Sequence, residues 1–479
     1  MASTMSASQD ATLKISAQSH LNISNIPYDI FLLIVFLCWN HGQDDEARDF
    51  PIIASHVCRT WRSYALDTGL LWATLEFHGP EPHRAITKYK VWLERTRGSP
   101  LDIFIGSQPF KGASVKHAKS IMRLIMPHVS RWRSFQVGDV PEKIIRLICD
   151  GLRDVSAPML EVLEVVGAKH IDPYEAFIAS TLKLKPFDCG EAAGLKQLVL
   201  EGYPHVHLVN RFSTLQALQL RNASFFKAGA TDNLRTIKHI LSSLPGLLTL
   251  YFDCGIRGSI PNTLQLSPQL NTPPPRIHHP SLVKLAIYLP NGDRDAILSS
   301  LDLPKVQYFF TRLHFEGVLG LNLLPILSQC HPFTNLISLR IGGRAFFAAG
   351  PPPHVRCTYS GGKDLDHLEG ALAGLPQLKV LTFDTVRLDG GEWLVCVGRT
   401  CPRLQRLTFR SCTGSTLLPM RAVVEERLKR PGLDALVQLT IWQWQFGGVE
   451  IDSQTDEWLK QTLIFHVKEP IGDSRGWTT

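Results

Sequence analysis

The residue types that carry covalent or metal chemistry are dispersed along this chain. Ten cysteines occur, none in a CxxC pair, and Cys396, Cys401 and Cys412 lack a second ligand pair at zinc-site spacing. They read as buried, reduced thiols of an intracellular protein. His278-His279 and Cys330-His331 are adjacent pairs near prolines, with no further ligands at metal spacing. Gly361-Gly362-Lys363 is followed by Asp364 where a phosphate loop needs Ser or Thr, and the glycine five residues before Gly362 is missing. HExxH, GxSxG and GxGxxG do not occur. A triad gathered from distant positions needs no local motif, so a hydrolase stays open as a third reading. The expectation is a non-enzyme with no cofactor and no metal.

Recognition chemistry is far more regular. A pattern of one apolar residue, two others, Leu or another apolar residue, one other, and a further apolar residue recurs along the chain. It occupies 132–137, 160–165, 195–200, 215–220, 247–252, 282–287, 310–315, 336–341, 378–383, 404–409 and 436–441. These eleven instances start 20 to 42 residues apart. With the unit numbered from one to seven, positions 4 and 6 alternate as a strand with one buried face requires. Each strand can bury them only beside its neighbours. Positions 3, 5 and 7 then point away from the core, onto a concave face that carries Tyr251, Tyr288, Arg312, His314, Arg340, Arg406, Arg410 and Trp442. Tyr, Trp and Arg dominate interface energetics, so these eight are the candidate substrate-binding residues. The plainer reading makes each of them a solvated strand position.

The strands need connecting elements. Residues 233–244 and 363–374 carry helical patterns just before the strands at 247 and 378. Ala157-Pro158, Leu244-Pro245, Leu375-Pro376 and Cys401-Pro402 stand before strands, where proline stops a helix and feeds an extended segment. The proline-rich stretches 267–280 and 348–354 read as loops between units. The expected fold is an α/β repeat, an irregular leucine-rich-repeat-like solenoid of parallel strands with helices on the convex side. The Asn that usually follows the strand in regular repeats is missing from most units. A doubly wound α/β domain is the competing fold.

Ahead of the array, residues 22–76 predict a small all-α module. Ser24 and Asn25 offer caps and Pro27 fits a first helical turn. A helix over 28–39 would be apolar on nearly every face, because residues 30–37 are all hydrophobic. A module of about fifty residues cannot cover such a helix alone, so burial itself calls for a partner or a docked domain. A second helix is predicted over 51–65, with Ile53, Val57, Trp61 and Tyr64 at helical spacing. Leu70-Leu71-Trp72 follows the break at Gly69.

Three ordered segments of this module, Ile26-Pro27-Tyr28-Asp29-Ile30, Val57-Cys58-Arg59-Thr60-Trp61-Arg62 and Leu70-Leu71-Trp72, resemble the F-box. That family opens on Leu-Pro, has a Val-Cys-basic-x-Trp core and closes on Leu-Trp. Here Ile26 replaces Leu, Asp29 replaces Glu, and the loop between helices is longer. The next stretch, Val91-Trp92-Leu93-Glu94-Arg95 then Ser99-Pro100-Leu101-Asp102-Ile103, is similar to the expanded F-box families of mushroom-forming fungi. The resemblance implies a substrate-recognition adaptor of a cullin-based SCF ubiquitin ligase. Its module would dock on a Skp-type adaptor, and through it a cullin, while the repeats recruit a protein substrate. By motif match the docking residues would be Ile26, Pro27, Ile30, Ile34, Val57, Cys58, Trp61 and Trp72. The alternative is a leucine-rich-repeat interaction scaffold without ligase function.

Composition agrees with a folded chain: 44% of the 479 residues are hydrophobic and 19% charged. The net charge of +7 comes from scattered Lys and Arg, with no run suited to a phosphate backbone, so nucleic acid is not an expected partner. The longest apolar run, residues 30–39, is too short for a bilayer that needs about twenty. No leader is apparent, which predicts a cytoplasmic or nuclear protein without membrane contact. The expected division is a tail at 1–21, the helical module at 22–76, a linker at 77–129, the array at 130–465 and a tail at 466–479.

Overall fold

Phe31 and Val35, one helical turn apart, are buried on α1 (Tyr28–His41) and set the packing of the N-terminal helices. The computed structural model describes residues 23–41, 49–77, 82–106, 115–167, 192–201, 212–221, 230–253, 276–288, 297–298, 300–313, 334–343, 369–370, 372–384, 392–410, 412, 418–442 and 453–468. The chain divides into two units, one of residues 1–76 and 81–103, the other of residues 77–80 and 104–479. Among the described residues no helix is long and apolar enough to cross a membrane.

In the N-terminal unit, the ring of Phe31 meets Trp61 edge-on at 5.1 Å, and Tyr28 meets Tyr64 at 5.2 Å. Two helices form where the pattern predicts one: α2 (Phe50–Val57) and α3 (Arg59–Asp67). Cys58 between them is extended, with φ −155° and ψ 174°, and its Sγ accepts from the Trp61 N–H at 3.4 Å. The first turn of α3 thus gains an acceptor for an otherwise orphaned N–H. Trp61 also donates its Nε1–H to the Ile23 carbonyl at 3.1 Å, tying α3 to the residues before α1.

Trp72, in the 3-10 turn Gly69–Trp72, is fully buried and donates Nε1–H to the Ala65 carbonyl at 2.7 Å. Its ring meets Trp92 of α4 (Pro82–Arg95) edge-on at 5.3 Å, under the Arg95 guanidinium at 4.4 Å. The helix of Trp92 and Leu93 therefore completes the core of this unit, which runs on to residue 103 rather than closing at 76. A methyl group at Gly69 would collide with the Thr96 carbonyl oxygen, so this close approach requires glycine. Strands β1 (Thr74–Phe77) and β2 (Leu101–Ile105) are neighbours, and both alternate buried with half-buried positions.

In the C-terminal unit, α5 (Val115–Ile125) buries Ala118, Ile121, Met122 and Ile125, a helical stripe. Then come β3 (Trp132–Val140), α6 (Glu142–Gly151), β4 (Val162–Gly167), β5 (Gln197–Glu201), β6 (Ala217–Arg221), α7 (Ala230–Ser243) and β7 (Thr249–Asp253). They are followed by β8 (Ile277–His278), β9 (Lys284–Tyr288), β10 (Leu301–Asp302), β11 (Tyr308–Leu313), β12 (Ser338–Gly343) and β13 (Val380–Asp384). The last elements are α8 (Glu392–Thr400), β14 (Arg406–Arg410), α9 (Leu418–Lys429), β15 (Gln438–Trp442), α10 (Ser453–Thr462) and β16 (Ile464–Lys468). β8 and β10 pair separately. The other strands from β3 to β16 form one parallel sheet in chain order. Large parallel sheet and helices make this an α/β unit, as the sequence predicts.

The register is set by the apolar pattern. Positions 4 align as Phe135, Leu163, Leu198, Leu218, Leu250, Leu285, Phe309, Leu339, Leu381, Leu407 and Leu439, each at most 2% exposed. A one-residue slip would turn all of them outward, and each is worth about 1.5–3 kcal/mol by burial. The prolines do more than end helices. Leu160, Leu247, Val306, Leu378 and Leu404 each donate N–H to the carbonyl three residues back, with Pro158, Pro245, Pro304, Pro376 and Pro402 second in the turn. Proline's fixed φ suits that position.

Two expectations for the strand array change. The unit expected at 310–315 is four residues late, because Phe309 aligns with Leu285 and Leu339. Its positions 1, 4 and 6 are Val306, Phe309 and Thr311, and the buried threonine breaks the apolar pattern. β16 adds a strand that the pattern does not predict and carries the sheet past residue 465. Most of 363–374 and all of 348–354 lie outside the described residues.

Arg427 on α9 is 1% exposed. It donates to the carbonyls of Gly398, Cys401, Pro402, Leu404 and Asp434 at 2.7–3.2 Å. Several of these oxygens follow the end of α8, where helical carbonyls lack partners and a cation is favoured. The neighbouring Cys401 thiol is pushed up to about 12, chiefly by burial. It is an inert core group, as the sequence suggests.

Candidate functional site

The face of the sheet opposite the leucine rows carries a run of side-chain contacts, joined between Asp384 and Arg410 by strand register. The Arg221 guanidinium lies 5.7 Å from the ring centre of Tyr251. Tyr251 and Tyr288 are 5.0 Å apart, and Tyr288 meets Phe310 edge-on at 4.8 Å. Arg340 lies over Phe310 at 4.6 Å and forms an ion pair with Asp384 on the next strand. Asp384 aligns with Arg410, whose guanidinium lies 5.2 Å from the Trp442 ring centre. Ala286, Tyr288 and Phe310 are buried by one another, with Tyr251 packed against them.

The Arg340–Asp384 contact is diagonal. Arg340 stands opposite Thr382, and the residue opposite Asp384 is Gly342, which has no side chain to occupy the diagonal. Arg410 has its pKa lowered, first by burial and then by the charge of Arg340, with Asp384 opposing both. At the other end of the face, burial raises the pKa of Glu164, with Arg221 lowering and Glu201 raising it. The face is thus carboxylate-bearing at β4 and β5, aromatic in its middle, and guanidinium-rich at β12 and β14.

The expected substrate-binding residues fall on this face. Tyr251, Tyr288, Arg340, Arg410 and Trp442 belong to the contact chain, and Arg406 stands exposed two residues before Thr408. Arg312 aligns with Gly342, while His314 lies outside the described residues. Tyr288 is only 3% exposed and acts as packing under its neighbours. Phe310 was hidden by the late register of its unit. Asp384 stands at the same seventh position as Arg410 and was legible in the pattern, but Tyr, Trp and Arg alone do not single out a carboxylate.

The expected adaptor-binding residues divide. Ile30 and Val57 are exposed at 46% and 41%, Pro27 is exposed, and Ile26, Ile34 and Cys58 are half-buried. Trp61 and Trp72, expected at the docking surface, are instead in the interior of the unit, held by the hydrogen bonds to Ile23 and Ala65. Leu33 at 54% and Leu37 at 50% extend the Ile30 stripe along α1, and Ile53 lies exposed one turn before Val57. The i, i+3, i+7 spacing left over by Phe31 and Val35 could have found the α1 stripe.

A separate cleft of about 310 Å³ lies at the N-terminal ends of β9, β11, β12, β13 and β14. Lys305, Lys379, Arg403, Gln307, Asn335 and Gln377 line it over Val283 and Ile337. Arg403 donates to the Gln377 Oε1 at 2.6 Å. The chain matches no protein-family model and no curated protein.

Proposed function

We propose that the chain is a substrate-recognition adaptor of the F-box type in a cullin-based ubiquitin ligase. In this reading the N-terminal unit is the F-box-like module and the C-terminal strands are an irregular leucine-rich-repeat-like solenoid that recruits a protein substrate. One observation carries it: α1 leaves Ile30, Leu33 and Leu37 outside while Phe31 and Val35 fill the interior. Large apolar side chains aligned on one helix face mark an interaction surface. Ile53 and Val57 repeat the arrangement on α2. The protein would contribute proximity, holding a substrate lysine near a charged conjugating enzyme, and no catalytic group of its own.

Co-expression with a Skp-type adaptor tests the reading, with Leu33→Asp and Leu37→Asp introduced together. The expected result is a stable complex that the double change abolishes while the unfolding midpoint holds. A folded chain that captures no adaptor would overturn it and leave an interaction scaffold outside the ligase system.

A further inference from the structure

On β12 to β14 the second face of the sheet presents Arg340, Arg406 and Arg410 against one carboxylate, Asp384. Adjacent strands lie about 4.8 Å apart, so Arg340, Asp384 and Arg410 fall within about 10 Å across the sheet, with Arg406 about 13 Å from Arg410 along β14. Arg340 and Asp384 neutralise each other, with side chains only 18% and 14% exposed. Arg410 is half-buried: its Nε–H is a buried donor with no hydrogen-bond acceptor among the described residues, and only the part of the side chain still at the surface can meet an incoming group. Its lowered pKa has the same origin: burial and the charge of Arg340 outweigh the help of Asp384. A half-buried cation short of negative charge is stabilised by whatever brings another anion to it.

The rings fix the geometry of the forks. Phe310 under Arg340 and Trp442 beside Arg410 engage the guanidinium groups through cation–π contacts, which help fix where the forks lie. A planar fork matches a carboxylate bidentately. The protein already pairs a guanidinium with a carboxylate on this face, through one N–H of Arg340 donated to Asp384. Thr382, Thr408 and Thr440 run in register between the charged positions, with hydroxyls that can donate to further acceptors.

We propose that this surface, centred on Arg410 and flanked by Arg406 and Trp442, takes an acidic segment of a partner protein. A Glu or Asp carboxylate sits on the arginines and an adjacent aromatic or apolar side chain lies against Trp442. The inference rests on the reading of the strand array as a protein-recruiting surface and names the chemistry of what it recruits.

The test is fluorescence anisotropy with the full chain and a labelled peptide in which glutamate and phenylalanine alternate. Matched peptides carry glutamine or phosphoserine in place of glutamate. The expected result is binding of the glutamate peptide, at least tenfold weaker binding of the glutamine peptide, and loss of affinity as salt is raised. Arg410→Gln weakens the glutamate peptide about tenfold and leaves the glutamine peptide unchanged. Arg406→Gln, at an exposed position that cannot compromise folding, weakens it severalfold. Equal affinity for glutamate and glutamine peptides, no binding to any of them, or indifference to both substitutions would overturn the proposal. A phosphoserine peptide bound more than tenfold tighter would replace a carboxylate partner with a phosphorylated one. Adaptor capture, measured on the same preparations, reports the N-terminal unit separately, so either reading can fail alone.

Discussion

The guanidinium of Arg427 donates to the carbonyl of Cys401 at 2.9 Å, joining the last turn of α9 to the residue that follows α8. Around that bond, one side chain satisfies the main-chain oxygens of five residues, from Gly398 to Asp434. Burial lowers the pKa of Arg427, opposed by Cys401 and Asp434. The carbonyl cage is what keeps a charge tolerable there.

Arg427→Met keeps much of the volume and removes every donor. Each buried carbonyl left without a partner costs about 1–3 kcal/mol, so the expected loss is at least about 3 kcal/mol. It is read as a lower urea midpoint with an unchanged slope. Arg427→Lys, with fewer donors and no fork, should recover only part of it.

Trp61 and Leu33 should separate folding from docking. Trp61→Ala empties a buried, hydrogen-bonded site and is expected to cost about 3–5 kcal/mol. Leu33→Asp changes an exposed position and should stay within about 0.5 kcal/mol of the parent. Thermal unfolding followed by tryptophan fluorescence distinguishes them; a destabilised Leu33→Asp chain would mean that α1 is covered in solution.

Two glycines make opposite predictions. Gly69→Ala places a methyl on the Thr96 carbonyl oxygen and should lose about 1–3 kcal/mol. Gly246→Ala meets nothing within 4 Å, so it should hold or gain about 0.4–1 kcal/mol by restricting the unfolded chain. Denaturation midpoints of the two variants give the comparison.

Glu164 makes stability depend on pH. Its folded pKa is raised above the ordinary 4.5, mainly by burial. The folded state therefore holds the proton more tightly than the unfolded one, and this group's contribution is fully present below about 4.5 and fades as pH rises through the folded value. Gln136 and Val199 flank it in register, and Arg221 and Glu201 supply the nearby charges. Glu164→Gln should be more stable than the parent at pH 7 and no different at pH 4. The reverse ranking in urea titrations would show that Arg221 outweighs burial.

Much of the array was legible because the repeated unit has a physical period. Leu-x-x-Leu-x-Leu spacing located the strands and the parity of Tyr251, Arg340 and Trp442, since alternate residues of a strand take opposite faces. Legibility failed where a core position took a polar residue, as at Thr311, or where the apolar signal was short, as in β16. In the N-terminal unit, motif matching found Trp61 and Trp72 but not their direction. A tryptophan that closes a core and one that greets a partner have the same spacing, and only the acceptors at Ile23 and Ala65 tell them apart.

The chain order of the sheet has a consequence during synthesis. From β4 onward each strand of the large sheet hydrogen-bonds to the strand of that sheet emerging before it. A nascent chain leaving the ribosome thus finds a finished template for each further strand of the large sheet it releases. No rung must wait for the far end of the polypeptide, and the entropy of closing long loops is met a few dozen residues at a time. Vectorial growth of this kind keeps one growing edge exposed at any moment, and β16 is the last described strand to join it.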